Sequence, residues 1–282
     1  MPELPEVETV ARSLMPRIIG REIAGVRLLD KKLLRRTCGC RLEDLEGRTI
    51  ETIRRRGKMI VIECDGGLGI VFHLKMTGQM LVVPTDEPLD KHVRLVVRFR
   101  DGRNELRFRD VRRFGFMLCA AGGAAGACRE IAALGPEPFD ATPDEFKALF
   151  AGRKGKIKSL LLNQTIIAGI GNIYADEILF DARIHPETPA SSLRRADLDR
   201  LRASMLLVLG KAVEAGGSTL RDYVDADGRA GEFQFDHKVY YREGEPCAGC
   251  AGRVKRIVVA GRGTYFCPRC QRRRGNRRVL TD

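Results

Sequence analysis

Leu134-Gly135-Pro136-Glu137-Pro138 divides this chain of 282 residues into two differently patterned halves. Two prolines around a glutamate, behind a glycine, suit neither a helix interior nor a sheet ladder, because proline lacks the N–H and fixes φ. Before this stretch apolar residues recur in short runs and alternations. Beyond it they recur at helical spacing. It therefore reads as a linker between a β-rich N-terminal domain and a helical one, and the length suffices for two cores.

Upstream, residues 59–63, 69–74, 79–83, 94–99, 104–109 and 114–119 form apolar or alternating runs. They are separated by turn chemistry such as Asp65-Gly66-Gly67, Thr77-Gly78 and Asp101-Gly102. Many short antiparallel strands imply a sandwich or a barrel. Ahead of them Val7, Val10, Ala11 and Leu14 line one helical face, and Pro16 with Gly20 marks its end. Pro5 at the first helical position would leave Pro2 and Glu3 just ahead of the helix, at the domain surface. Downstream, Thr142-Pro143-Asp144-Glu145 is a capping box. Residues 157–163 and 173–180 are helical, and Leu198, Leu201, Met205, Val208, Leu209 and Ala212 mark a longer helix ended by Gly216-Gly217. The last 50 or so residues return to short strands around cysteine pairs.

The hydrophobic content of 44% and charged content of 31% describe a soluble globular protein. No apolar run is long enough for a membrane span, and the acidic start is unlike a signal peptide, which places the protein in the cytoplasm. Fifty Lys and Arg against 37 Asp and Glu leave a net charge of +13, which favours a polyanionic partner, above all nucleic acid. From Arg253 onward ten basic residues, Arg274, Arg277 and Arg278 among them, face only Asp282. Of the nine cysteines four have metal-ligand spacing; Cys38, Cys40, Cys64, Cys119 and Cys128 show no disulfide framework.

Cys247-x-x-Cys250 and Cys267-x-x-Cys270 are the most specific pattern. Four thiolates close a tetrahedral Zn²⁺ and leave no open position, so the metal is structural. Between the pairs, Gly261-Arg262-Gly263-Thr264-Tyr265-Phe266 reads as a hairpin with Arg262 at its tip, suited to clamping a phosphate. Gly169-Ile170-Gly171-Asn172 opens onto a helix N-terminus, where free N–H groups attract phosphate. Lys154, Lys156 and Lys158 lie just upstream and either close the same site or coat a solvated helix.

His73-Leu74-Lys75-Met76-Thr77-Gly78 and Asp110-Val111-Arg112-Arg113-Phe114-Gly115 each end a strand in a turn. Met76 and Phe114 at such tips are either core residues or wedges for a DNA stack. Lys58 after Gly57 is a phosphate contact or an ordinary surface lysine. Pro2, freed of Met1, would expose a secondary amine titrating at about 7.7–8.0, nucleophilic in the cell. Glu3 beside it would shuttle protons. Taken alone, Met1-Pro2-Glu3-Leu4-Pro5-Glu6-Val7-Glu8 reads as a solvated tail.

Together, Pro2–Glu8, the His73 hexad, Arg112-Arg113-Phe114-Gly115, Gly169–Glu177 and Gly261–Gln271 resemble bacterial formamidopyrimidine-DNA glycosylase, across the whole chain and in the family's order. The resemblance implies an α+β multidomain fold: an N-terminal β-sandwich flanked by helices (1–134), a helix–two-turn–helix domain (135–231) and a zinc finger (232–282). It implies excision of oxidised purines from duplex DNA held between domains, then strand cleavage by β,δ-elimination. Carried over, Pro2 is the nucleophile that forms an iminium at C1′, Glu3 the acid at the ring oxygen, and Lys58 belongs with them in the catalytic centre. His73, His92, Lys158, Asn172, Tyr240 and Arg262 match DNA contacts; Met76, Arg112 and Phe114 match the void-filling trio; Glu6 matches a lesion-pocket position. Residues 218–235 resemble a mobile lesion-capping loop, although Glu232 departs from the aromatic residue often found there. One structural zinc, double-stranded DNA as partner, a monomeric state and a nucleoid-associated cytoplasmic location are the accompanying expectations. The alternatives are an endonuclease VIII-like enzyme for oxidised pyrimidines, disfavoured by Leu4, Met76 and Phe114, and a non-catalytic zinc-finger DNA-binding protein, disfavoured by Pro2 and Glu3.

Overall fold

The computed structural model describes residues 1–123 and 129–273; Cys128, Arg274, Arg277 and Arg278 lie outside the described residues. The chain forms two compact units. One comprises Met1–Leu134 with Lys211–Phe235, the other Gly135–Gly210 with Asp236–Asp282. The linker residues 134 and 135 therefore fall on either side of a boundary. Residues 211–235 count with the first unit, and the finger from residue 236 counts with the second.

In the first unit α1 (Leu4–Ile18) buries Leu4, Val7, Val10, Ala11, Leu14 and Ile18, the face its spacing predicts. Pro5 sits in the first turn, but Leu4 is the first helical residue, one earlier than expected. Pro16 does not end the helix. It lies inside the last turn, and the chain leaves through Gly20 at φ 79°.

Nine strands follow: β1 (Ile23–Leu28), β2 (Leu34–Cys38), β3 (Ile50–Arg56), β4 (Met59–Cys64), β5 (Leu68–His73), β6 (Gly78–Pro84), β7 (Val93–Phe99), β8 (Asn104–Asp110) and β9 (Phe116–Ala121). They form a four-stranded sheet, β1-β7-β8-β6, and a five-stranded sheet, β2-β9-β5-β4-β3. The inner faces share one core. Phe72 of β5 stacks on Phe108 of β8 with ring centroids 5.5 Å apart, joined by Ile60, Ile62, Met80, Leu95, Leu106 and Met117. The outer face of the five-stranded sheet is also buried, around Val61, Val71, Leu118 and Ile131 of α2 (Arg129–Ala132). A strand covered on both faces reads as a continuous apolar run, which explains Met59-Ile60-Val61-Ile62.

Three strands go unmarked by the apolar pattern: β1, β2 and β3. All three are sheet edges. Their sequences are interrupted by glycine or arginine, as edge strands facing solvent commonly are. One pair departs from the antiparallel expectation, since β2 runs parallel to β9. Cys40 and Cys119, expected to be unpaired, bring their sulfurs together in this core with Cα atoms 5.7 Å apart, a separation that suits a disulfide. Their 79-residue sequence separation hides the pairing from spacing arguments.

The second unit contains α3 (Pro143–Phe150), α4 (Ile157–Leu161), α5 (Asn172–Asp181) and the start of α6 (Arg195–Glu214). Thr142 caps α3, accepting from Glu145 N–H while Glu145 accepts from Thr142 N–H at 2.9 Å. The finger contributes the antiparallel pair β10 (Lys255–Val259) and β11 (Arg262–Phe266). Among the described residues no helix is long and apolar enough to cross a membrane.

Candidate functional site

At the N-terminus the fold overrules the expected surface position. Pro2 is buried and Glu3 is only 3% exposed, because Leu4 and Val7 on the adjoining turn anchor in the core. Glu3 N–H donates to Glu6 Oε2 at 2.7 Å, the reciprocal half of a capping box. The other oxygen of Glu6 accepts from Ser218 N–H, also at 2.7 Å. Tyr223 donates its hydroxyl to the carbonyls of Glu6 and Gly216, and Ser13 Oγ accepts from Ala226 N–H. A side chain at Gly217 (φ 80°) would stand 2.8 Å from Glu6 Oε1. The segment expected to be a mobile cap is thus docked on α1 here, through Glu6 at one end and Ser13 further along.

Lys58 lies in a two-residue connection between β3 and β4, with Gly57 at φ 57° in the first position, as a II′-type hairpin requires. Across the register Met59 faces His73. Both Lys58 and His73 are largely buried. Burial, with Lys75, Lys58 and Arg35 nearby, pushes the His73 imidazole down to about 3. Its Nδ1 accepts from Lys75 N–H at 3.0 Å, so Nε2 carries the proton. His73 is therefore a neutral hydrogen-bond donor at pH 7, not a cation.

Met76 and Phe114, 43% and 51% exposed, are not core residues. Their turns share one organiser that sequence patterning passes over, Asp110, 1% exposed. Its carboxylate accepts from Thr77 Oγ1, from Arg112 N–H at 3.2 Å and from Gly115 N–H at 2.7 Å. Because Gly115 N–H is spent there, Phe114 stays outside the strand in which the alternation placed it, and β9 begins at Phe116. Side chains at Gly78 or Gly115 would strike Leu74 O (2.5 Å) or the Phe108 ring (2.7 Å). The Arg112 guanidinium lies 4.8 Å from the Phe114 ring centroid. Asp30 pairs with Arg113 at 2.7 Å, which holds the Asp30 carboxyl below its usual range. Half-buried His92 joins this network through its backbone, its carbonyl accepting from Asp110 N–H.

In the second unit Asn172 opens α5 and donates from Nδ2 to Gly263 O at 2.9 Å, with the Tyr240 hydroxyl 3.5 Å away. Gly263 follows Arg262, whose hairpin turns through Ala260 (φ 51°) and Gly261 (φ 71°), the two left-handed positions of an I′ turn. Arg262 is exposed. Lys158, expected as a DNA contact, has no accessible surface at all. Its ammonium pairs with Asp176 at 2.7 Å and donates to Thr264 Oγ1 (2.8 Å) and Gly263 O (3.2 Å). It supports the Arg262 hairpin from within instead of reaching a phosphate. Of its neighbours, Lys156 pairs with Glu187 at 2.6 Å and Lys154 is exposed.

Asp176 and Glu177, to which the sequence pattern assigns no role, are the scaffold of this region. Asp176 Oδ2 accepts from Tyr265 N–H, and Glu177 accepts from the N–H groups of Lys238, Val239 and Tyr240 at 2.8–3.0 Å. Burial raises both carboxyls above their usual range, against the pull of Lys158 and these N–H donors. The available signal is two adjacent acids in the middle of a helix whose other residues between Asn172 and Asp181 are apolar or aromatic.

The four sulfurs of Cys247, Cys250, Cys267 and Cys270 lie within 4.8 Å of one another. Cys247–Cys270 and Cys250–Cys267 are separated by 3.8 and 3.6 Å. Zn–S bonds of about 2.3 Å in a tetrahedron place sulfurs about 3.8 Å apart, so the cluster fits one structural Zn²⁺. Gly249 and Gly252 N–H groups donate to Cys247 and Cys250, stabilising thiolate.

Three known domain descriptions match the chain in order: formamidopyrimidine-DNA glycosylase N-terminal domain over residues 1–117, its H2TH domain over 134–224, and the zinc finger found in FPG and IleRS over 244–273. A formamidopyrimidine-DNA glycosylase of Geobacillus kaustophilus is 45% identical over 278 residues, covering 96% of this chain and 100% of its own. Among solved structures, a Lactococcus lactis FPG mutant in complex with Fapy-dG-containing DNA superposes with a TM-score of 0.89 at 36% identity. The L. lactis Fpg complex with abasic-site DNA superposes at 0.87 and 35%. Each covers 96% of this chain and 100% of its own.

Proposed function

This chain belongs to the formamidopyrimidine-DNA glycosylase family, and we propose that it does that family's work through Pro2 and Glu3. It is a base-excision repair enzyme, a glycosylase for oxidised purines with lyase activity at the abasic site. The observation that carries the assignment of residues is the state of the N-terminus. Pro2 and Glu3 are built into the fold, braced by Glu6, and do not trail as a tail. Met1, 51% exposed, is open to removal, which leaves the Pro2 secondary amine.

The amine attacks C1′ and the C1′–base bond breaks. Glu3 protonates the ring oxygen as the sugar opens, leaving an iminium at Pro2. The iminium acidifies the C2′ proton. Its loss expels the 3′ phosphate, and a second elimination expels the 5′ phosphate. Lys58 and neutral His73 hold phosphate beside this centre, the latter as an Nε2–H donor. His92, Asn172, Tyr240 and Arg262 add backbone contacts. Met76, Arg112 and Phe114 fill the void left by the extruded nucleotide, and Glu6 with residues 218–235 forms the lesion pocket. Zinc supports the Arg262 hairpin and takes no part in the chemistry. The protein acts as a monomer in the cytoplasm, on the chromosome.

Borohydride added during incubation with an 8-oxoguanine duplex is expected to trap a protein–DNA adduct through Pro2, identified by peptide mass. Absence of an adduct, or an undiminished one from protein whose N-terminus is blocked by an uncleaved tag, would refute the mechanism.

A further inference from the structure

Tyr241 stands where a glycine belongs. Arg242 N–H donates to Val239 O at 3.0 Å, closing a four-residue turn in which Tyr241, at φ 61°, occupies the third position. A type II turn needs positive φ there, which glycine adopts freely and a tyrosine only under strain. Burial does not offset the strain, because Tyr241 is 63% exposed. One side leans on Tyr240 (centroids 4.6 Å) and Tyr265 (5.5 Å), and the rest faces outward. Backbone strain of this kind clusters at functional sites.

Among the described residues, the other non-glycine residues at positive φ show the company Tyr241 keeps. Lys75 precedes Met76, Arg113 lies between Arg112 and Phe114, and Ala260 leads into the Arg262 hairpin; Arg183 instead follows the end of α5. Three of the four thus sit in turns that present expected DNA contacts. Tyr241 adjoins Tyr240, whose hydroxyl faces Asn172, and its platform partner Tyr265 pairs across the hairpin with Arg256. The charge along that hairpin is basic, with Lys255, Arg256 and Arg262 exposed.

We propose that the Tyr241 ring is a DNA contact, packing its free face against the sugar–phosphate backbone of the bound duplex beside the phosphate held by Asn172, Tyr240 and Arg262. This rests on reading those three residues as phosphate contacts. An aromatic face on a sugar is insensitive to base sequence and carries no charge, so it adds affinity without adding to the salt dependence.

The test uses the full zinc-loaded chain and a duplex containing a tetrahydrofuran abasic analogue. Tyr241→Gly relieves the turn, so its melting temperature is expected to rise by about 2–4 °C. Its affinity for the duplex is expected to fall about tenfold, with the slope of log K against log salt unchanged. Tyr241→Phe is expected to bind within about twofold of the wild type, since the ring remains. Unchanged affinity in Tyr241→Gly, or a Tyr241→Phe as weak as Tyr241→Gly, overturns the proposal. A fall in melting temperature for Tyr241→Gly overturns its premise of strain. Arg262→Ala serves as the separate control, expected to weaken binding and flatten the salt slope by about 1. If Arg262→Ala does neither, the phosphate-contact reading fails on its own, whatever Tyr241 shows.

Discussion

The two units present their proposed DNA contacts by opposite means. In the first, Met76, Arg112 and Phe114 ride on turns rooted in an apolar core, with the Phe108 ring against Gly78 and Gly115, and one buried carboxylate, Asp110, sets both turns. In the second, Asn172, Tyr240 and Arg262 are held by a scaffold of charge. Lys158 and Asp176 are buried together, Glu177 collects three N–H groups, and four thiolates surround a metal site. Truncating a large apolar side chain in such a core costs about 2–5 kcal/mol, through lost transfer energy and the cavity left. Breaking a buried charge network costs about 3–5 kcal/mol by another route, because each partner removed strands another without solvent.

That contrast can be broken most severely by removing zinc. Chelation, or Cys267→Ser, is expected to forfeit on the order of 10 kcal/mol of finger stability. Hydrogen exchange would then show β10 and β11 losing protection while β4 and β5 keep theirs. Simultaneous loss in both units would mean that they do not differ as described. Next comes Lys158→Met, which strands Asp176 inside the second unit. A cost of about 3–5 kcal/mol in urea unfolding is expected, partly restored by adding Asp176→Asn. A cost near zero would reduce the ion pair to an incidental contact.

Protonation provides a milder probe of the first unit. The folded His73 has its affinity for protons lowered to about 3, whereas the unfolded residue titrates near 6.5. Between these values the unfolded chain binds more protons, so stability is present above about pH 6.5 and drains away as pH falls toward 3. His237, lowered to about 4 by burial, acts in the same direction in the second unit. His73→Gln is expected to flatten part of the slope of stability against pH in that window. An unaltered slope would show that His73 is not buried as a neutral ring. The smallest stability effect belongs to Phe114→Ala, within about 0.5 kcal/mol because the ring is exposed. Binding to lesion-containing duplex should nevertheless drop measurably in a gel-shift titration. A loss of several kcal/mol in stability would return Phe114 to the core.

The difference between the units also separates what could be read from the chain and what could not. Interior strands β4, β5, β7 and β8 announce themselves through uninterrupted or alternating apolar residues. The edges β1, β2 and β3 do not, since half their surface faces solvent and carries arginine. Likewise Met76 and Phe114 are apolar residues at strand ends, for which core and surface positions look alike in sequence. Lys158 shows the converse. A lysine in a cluster with Lys154 and Lys156 reads as surface, and only its meeting with Asp176 and with Thr264, 106 residues away, makes its burial possible.

The sequence by itself determined the periodicities of α1 and the interior strands, the four-cysteine metal site and the order of family motifs, because each depends on residue types at short spacing. Tertiary structure alone decided which of those residues face inward. Pro2 and Glu3 are seated in the fold because Leu4 and Val7 anchor beside them, and Lys158 became a strut because it meets Asp176 and the hairpin. Burial is set by neighbours far apart along the chain, and no local spacing encodes them.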